Sequence, residues 1–311
     1  MRNTYKILLS TLGISGLCVS VLLGATSCSG YTKFNAKVVG HRGCPSNKNV
    51  FENTIGSFEA AGQSDYYSAI ECDVWPNATA DQLYVVHDEY PFYQDPKASV
   101  ANIEYDLAES YTLHASVNYP RENPGSFDHD SATKNYKLPT LEEYLQVCVK
   151  YQKTAVIELK DTVKWTSTSS GIWTDEAINQ LSEAVNRIIT DKNYILISFD
   201  NSLLEYIASG SFNLPKQKMQ QLFDPSLINS ESEDEKRWGS WEYIANQGWN
   251  IDVGDALSPS TLDWGAYINS YFVEYFHNKK LEVNVWTVNT LDRAKALDSL
   301  GVDYITTDWI L

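Results

Sequence analysis

Positive charge is what this chain is shortest of. It has 24 Lys and Arg against 40 Asp and Glu, a formal charge of −16. Binding to a nucleic-acid backbone depends on Lys and Arg neutralising phosphates, so nucleic acid is excluded as the expected partner. An acidic protein can still hold a phosphodiester where local cations or a metal offset the field. Cysteine is also scarce, at five in 311 residues. No CxxC or Cys/His cluster offers the ligand set of a zinc site. With Cys18 and Cys28 in the N-terminal segment, Cys44, Cys72 and Cys148 remain. Their odd number and irregular spacing imply no disulfide framework, and a Cys44–Cys72 bridge is left open. The chain has no internal repeat and only one long apolar run, Ile7–Leu23.

That run follows Arg2 and Lys6 and leads through Ala25-Thr26-Ser27 to Cys28. A basic start, an apolar stretch and a small-residue triplet form a signal-peptide pattern that lies outside the fold. The triplet ending at Cys resembles the lipidation box of bacterial lipoproteins. The expectation is a signal peptide over 1–27, lipidated Cys28, a linker over 28–36 and a globular part over 37–311. This would place the protein on the extracellular face of a cell membrane, held by its lipid. An uncleaved anchor helix is the alternative.

Beyond the linker, short β-rich runs alternate with helical ones. Strands are expected over Lys37–His41, Ala69–Val74, Ala155–Leu159, Tyr194–Phe199, Met219–Phe223, Trp249–Val253, Leu281–Val288 and Tyr304–Thr307. Helices are expected over Thr54–Gly62, Leu141–Gln152, Thr174–Thr190, Ser202–Ser209, Ser240–Asn246, Ser260–Asn278 and Leu291–Leu300. Alternation of this kind means parallel strands joined by crossovers. Eight repeats in a chain of this length imply an α/β fold, a (β/α)8 TIM barrel. One run, Leu83–Asp88, follows its predecessor too closely for a crossover helix. It is expected to fold back near Ala80 as an extra β-hairpin strand, with His87 opposite Asp73. The stretch 89–137 breaks the pattern with four prolines and is read as an insertion over the barrel mouth.

The chemistry lies at strand ends. Alternate residues of a strand share a face, so Glu71 and Asp73 point together and Cys72 points away. Glu158 and Lys160 repeat the arrangement at the end of AVIELK. Two acids on one face of an apolar strand are costly to bury without a cation. Barrel strands deliver their C-terminal ends to one mouth, so Glu71, Asp73 and Glu158 would meet as an oxygen-ligand site for Mg2+ or Ca2+. His41 and His87 end strands at the same mouth. Imidazoles titrating near neutral pH suit a reaction that takes a proton from an attacking oxygen and returns one to a leaving alkoxide. Arg42 and Lys160 would grip phosphate oxygens. Glu52 is either a further site residue or a structural partner of its loop. Trp286 either lines the pocket or packs the core.

These residues lie in motifs that, taken in order, resemble the glycerophosphodiester phosphodiesterase family: HRG at 41–43, ENT at 52–54, ECDV at 71–74, VVHD at 85–88, LPTLEE at 138–143, IELK at 157–160, ISFD at 197–200, VWTVN at 285–289 and YITTD at 304–308. The resemblance implies a TIM barrel that hydrolyses glycerophosphodiesters to glycerol 3-phosphate and an alcohol. It implies His41 and His87 as the acid/base pair, Glu71, Asp73 and Glu158 as metal ligands, and Arg42 and Lys160 as phosphate contacts. Two departures stand out. Cys44 follows HRG, and Glu89-Tyr90-Pro91 follows VVHD, so the mouth beside His87 is expected to be remodelled. A related enzyme acting on lipid head groups, or a binding barrel without catalysis, are the alternatives.

Overall fold

The computed structural model describes residues 31–44, 50–77, 82–92, 94–113, 136–161, 171–191, 193–224, 241–255 and 268–311. The expected signal segment, Cys28 and the hairpin tip near Ala80 lie outside the described residues.

Among the described residues nine strands form one sheet. They are β1 (Lys37–Gly40), β2 (Ala69–Pro76), β3 (Leu83–Val85), β4 (Thr154–Leu159), β5 (Tyr194–Ser198), β6 (Met219–Phe223), β7 (Asn250–Gly254), β8 (Val283–Trp286) and β9 (Tyr304–Thr307). Every pairing is parallel except β2 with β3. The sheet order runs β1-β9-β8-β7-β6-β5-β4-β2-β3, and β1 also pairs with β2. That last pairing closes eight parallel strands into a barrel, and β3 hangs on β2 as the extra hairpin strand. The hairpin register differs by one residue from expectation. Val74 faces Val85, and the Val86 amide donates to the Asp73 carbonyl at 3.0 Å, so Asp73 lies opposite Val86 and not His87.

The helices are α1 (Ile55–Gln63), α2 (Tyr105–Ser110), α3 (Leu141–Tyr151), α4 (Asp175–Ile188), α5 (Asn201–Ser209), α6 (Trp241–Asn246), α7 (Ser270–His277) and α8 (Leu291–Leu300). The starts of α1, α3, α4, α5 and α7 are fixed by side-chain caps that satisfy unpaired first-turn amides. Thr140 and Glu143 form a reciprocal capping box on α3. Thr174, Asp200 and Asn269 cap α4, α5 and α7. Within the described residues no helix is long and apolar enough to cross a membrane.

The main core lies between barrel and helices. Alternation along each strand sends one set of residues outward to it, for example Ile70, Cys72 and Val74 from β2 and Val283 and Val285 from β8. The other set fills the barrel interior with Val39, Ala69, Val156, Ile195, Ile197, Leu222 and Tyr304. Residues 31–36, expected as linker, are tied to the barrel unit. Asp298 accepts from the Asn35 and Ala36 amides at 2.7 and 2.8 Å. The described part of the insertion builds a small core of its own. Phe92, Val100, Ile103 and Leu113 pack on Phe51, Trp75, Tyr84 and Val86 of the hairpin side. It also contains a helix, α2, that the sequence pattern did not reveal. None of its described residues lines the barrel-mouth cavity, and residues 114–135 lie outside the described residues.

Candidate active site

The strand ends meet as a cavity of about 210 Å³ at the C-terminal mouth of the barrel. β2 sends Glu71 and Asp73 inward, and β4, whose Glu158 is in register with Asp73, supplies the third acid. One ligand oxygen from each lies within 4.8 Å of the others. Their remaining bonds tie them to the frame. Glu71 Oε2 accepts the Arg42 backbone N–H at 2.7 Å, and Asp73 Oδ2 accepts from Asn53 Nδ2 at 2.7 Å. Lys160 Nζ donates to Glu158 Oε1 at 3.0 Å. Among the described residues Glu71 Oε1 is buried without a hydrogen-bond partner, and Asp73 Oδ1 has only Lys160 Nζ near it, at 3.5 Å. Burial pushes the Glu71 carboxyl well above its ordinary range, and the charges of Asp73 and Glu158 add to this. Burial also raises Glu158 against the pull of Lys160. For Asp73 the penalty of burial is outweighed by His87, Arg42 and Lys160, and its carboxyl is held far below the ordinary range. Orphaned oxygens on a crowded, all-oxygen donor set fit a hard divalent cation.

The ENT stretch arranges three parts of this site with three consecutive side chains. Glu52 Oε1 accepts from Arg42 Nη1 at 2.8 Å, the Asn53 side chain donates to Asp73 Oδ2 and accepts from the Asp73 backbone N–H, and Thr54 caps α1. Glu52 is thus the structural partner of a site cation. Arg42 has φ +53° and turns its guanidinium back over Asp73, with Nε 3.3 Å from Oδ2. Burial works against the Arg42 charge, but Glu52, Asp73 and Glu71 hold the guanidinium firmly protonated. The turn is locked to α1, where Ser57 Oγ donates to the Arg42 carbonyl at 2.7 Å. A Cβ on Gly43, at φ +94°, would lie 2.0 Å from Ser57 Oγ, so only glycine fits there.

Both histidines line the cavity. His41 Nδ1 lies 2.7 Å from Asp308 Oδ1, and Asn289 Nδ2 donates to Asp308 Oδ2 at 2.7 Å. His87 Nδ1 lies 2.9 Å from Asp88 Oδ1. His87 follows the end of β3 and reaches the cavity from a loop, not as a cross-strand neighbour of Asp73. A carboxylate on Nδ1 favours the tautomer that leaves Nε2 unprotonated. Asp308, Asn289 and Asp88 were not assigned roles from the sequence. Their only signal was their place at the ends of the YITTD, VWTVN and VVHD motifs.

Ile197, Phe199, Leu222 and Trp286 form the apolar wall. Trp286 lines the cavity and also packs on the barrel interior, and its ring meets Phe199 edge-on at 5.7 Å. Asp252 lies on the same side, its carboxyl raised well above the ordinary range by burial and by Glu158. Cys44, Cys72 and Cys148 are buried thiols and not disulfide halves. Of the other histidines, His277 pairs with Asp303 away from the mouth, and His114 and His129 lie outside the described residues.

Solved structures share this architecture. A glycerophosphodiester phosphodiesterase from Parabacteroides distasonis aligns over 90% of this chain and 95% of its own, at 23% identity and a TM-score of 0.59. One from Thermotoga maritima aligns over 89% and 96%, at 21% identity and 0.56. An Oleispira antarctica phosphodiesterase, solved with the product sn-glycerol-3-phosphate, aligns over 88% and 93%, at 17% identity and 0.58. No curated protein sequence matches the chain. The model of the glycerophosphoryl diester phosphodiesterase family matches residues 41–311, nearly all of the barrel and every residue of the cavity, and the chain belongs to that family.

Proposed function

We propose that this protein is a metal-dependent glycerophosphodiesterase that hydrolyses a water-soluble diester to sn-glycerol 3-phosphate and an alcohol. One observation carries the reading. Two carboxylate-oriented histidines, Arg42, Lys160, Glu71 and Glu158 all line one cavity, and Asp73 completes the acid cluster behind it. Arg42 and Lys160 hold the phosphate oxygens. His41 Nε2, oriented by Asp308, takes a proton from the attacking water as its oxygen bonds to phosphorus. Asp308 then stabilises the imidazolium. As the ester P–O bond breaks, His87, which must enter the step protonated at Nε2 with its Nδ1 facing Asp88, gives that proton to the leaving alkoxide and ends neutral, while His41 keeps the water proton. Mg2+ or Ca2+ on Glu71, Asp73 and Glu158 would offset the charge growing on the phosphoryl oxygens. The test is release of glycerol 3-phosphate from glycerophosphocholine by the purified protein with each metal, and its loss in EDTA. The panel includes phospholipid vesicles, to separate a head-group enzyme from one acting on soluble diesters. No turnover of any diester by metal-loaded protein would overturn the reading.

The N-terminal pattern supports a second part of the proposal. Residues 1–27 direct export, and Cys28 carries a lipid that holds the enzyme at the outer face of a membrane. Incorporation of a labelled fatty acid should be lost in Cys28→Ser, and unchanged labelling would rule out this anchor.

A further inference from the structure

Asp252 is the one acid of the cavity lining that belongs neither to the metal cluster nor to an ion pair among the described residues. It points into the barrel from β7 and is 1% exposed. Its surroundings leave half of the carboxyl unserved. Asn284, in register on β8, hydrogen-bonds it and in turn accepts from Thr306 Oγ1 at 3.2 Å. The Asp252 carbonyl accepts from Trp286 Nε1 at 3.1 Å. Its Oδ1 has no hydrogen-bond partner among the described residues. The cavity cations are committed elsewhere, Arg42 to Glu52 and Asp73, and Lys160 to Glu158 and Asp73. A buried acceptor without a donor is destabilising. The neighbouring strands β5 and β6 present Ile197 and Leu222 to the same cavity, so packing alone does not call for an acid on this wall.

We propose that Asp252 is a specificity-determining residue that hydrogen-bonds a free hydroxyl on the substrate arm lying along Trp286, so that the cavity selects phosphodiesters of a polyol. The proposal rests on the phosphodiesterase reading above and names the residue that reads the glycerol. The cation side of the cavity takes the phosphate, and Asp252, across the cavity on the apolar wall, reads the hydroxyl. A site built to hydrogen-bond a substrate hydroxyl rejects the analogue lacking it, because its own polar group is then left unpaired. An ammonium head group would have to shed all its water to reach so buried a residue. Phe199, 42% exposed at the rim, is where such a group would stay wet.

The test compares glycerophosphocholine with propyl phosphocholine, which has the same phosphate and head group but no glycerol hydroxyl. Wild type should prefer the glycerol diester by at least tenfold in kcat/KM. In Asp252→Leu that preference should collapse to within about threefold, through loss on the glycerol diester alone. Asp252→Asn, which can still hydrogen-bond a hydroxyl, should retain most of the preference and serves as the check should the Leu variant fold poorly. Equal loss on both substrates would overturn the proposal, as would an unchanged preference in the folded variants. Wild type that cleaves both diesters equally would refute it and leave the enzyme reading intact. Wild type that cleaves neither would defeat both.

Discussion

Asp308 Oδ1 lies 2.7 Å from His41 Nδ1, although the two residues are 267 positions apart. The contact exists because β1 and β9 are neighbours in the closed barrel, with Gly40 in register with Thr307, so both strands deliver their next residue to the same spot. On the proposed mechanism Asp308 is a positioning residue. In Asp308→Asn, kcat should fall about 10–100-fold, a typical cost for removing a group that orients another. KM should change little, and the limb of the pH–rate profile assigned to His41 should move. An unchanged profile would show that the carboxylate plays no part in ordering the imidazole.

Removing either imidazole should be more damaging. His41→Ala and His87→Ala should each lower kcat by about 10²–10⁴-fold, the usual contribution of a general acid or base. Both variants should keep wild-type circular dichroism and metal affinity. Full activity in either variant would remove that residue from the mechanism.

Metal binding should depend on pH with a definite sign. In the folded protein burial raises the Glu71 carboxyl above its ordinary range, so without metal it keeps its proton at pH values where the unfolded chain has lost it. This contribution destabilises the metal-free protein increasingly as pH rises above the unfolded value. A divalent ion binds the deprotonated ligands and so releases protons. Added Mg2+ or Ca2+ should therefore raise Tm more at pH 8 than at pH 5.5, as read by scanning calorimetry. The opposite order would be inconsistent with Glu71 as a ligand.

Glu52 should act through Arg42. Breaking a buried ion pair typically costs about 3–5 kcal/mol, and Glu52→Ala should fall at or below the low end because Asp73 still faces the guanidinium. Activity should drop mainly through a higher KM, since the arginine loses its anchor. A variant with wild-type stability and kinetics would make Glu52 a bystander.

Much of this site was legible along the chain because it follows strand period. Glu71 and Asp73 share a face with Cys72 opposed, Glu158 and Lys160 repeat the pattern, and these facts need only two-residue alternation. The hairpin was legible for a similar reason, since too few residues separate β2 from β3 for a crossover. Its register was not. Which residue faces Asp73 depends on how the intervening turn is built, and a shift of one residue separates the expected pairing from the observed one. Helix α2 was missed because six residues among prolines and tyrosines carry no clear 3.6-residue repeat, and its Ala108 is buried in the cluster on the hairpin.

The sequence by itself determined the alternation of strands and helices, the eight parallel strands, and the acids, bases and cations presented at their ends. These are properties of a few adjacent residues. Only the tertiary structure decided which of them meet. Closure of β1 onto β9 brings Asp308 to His41. The turn after β1 swings Arg42 between Glu52 and Asp73. The inward side of β7 leaves Asp252 facing the cavity with an unpartnered oxygen. Each depends on a contact between segments far apart in the chain, where no local period can report it.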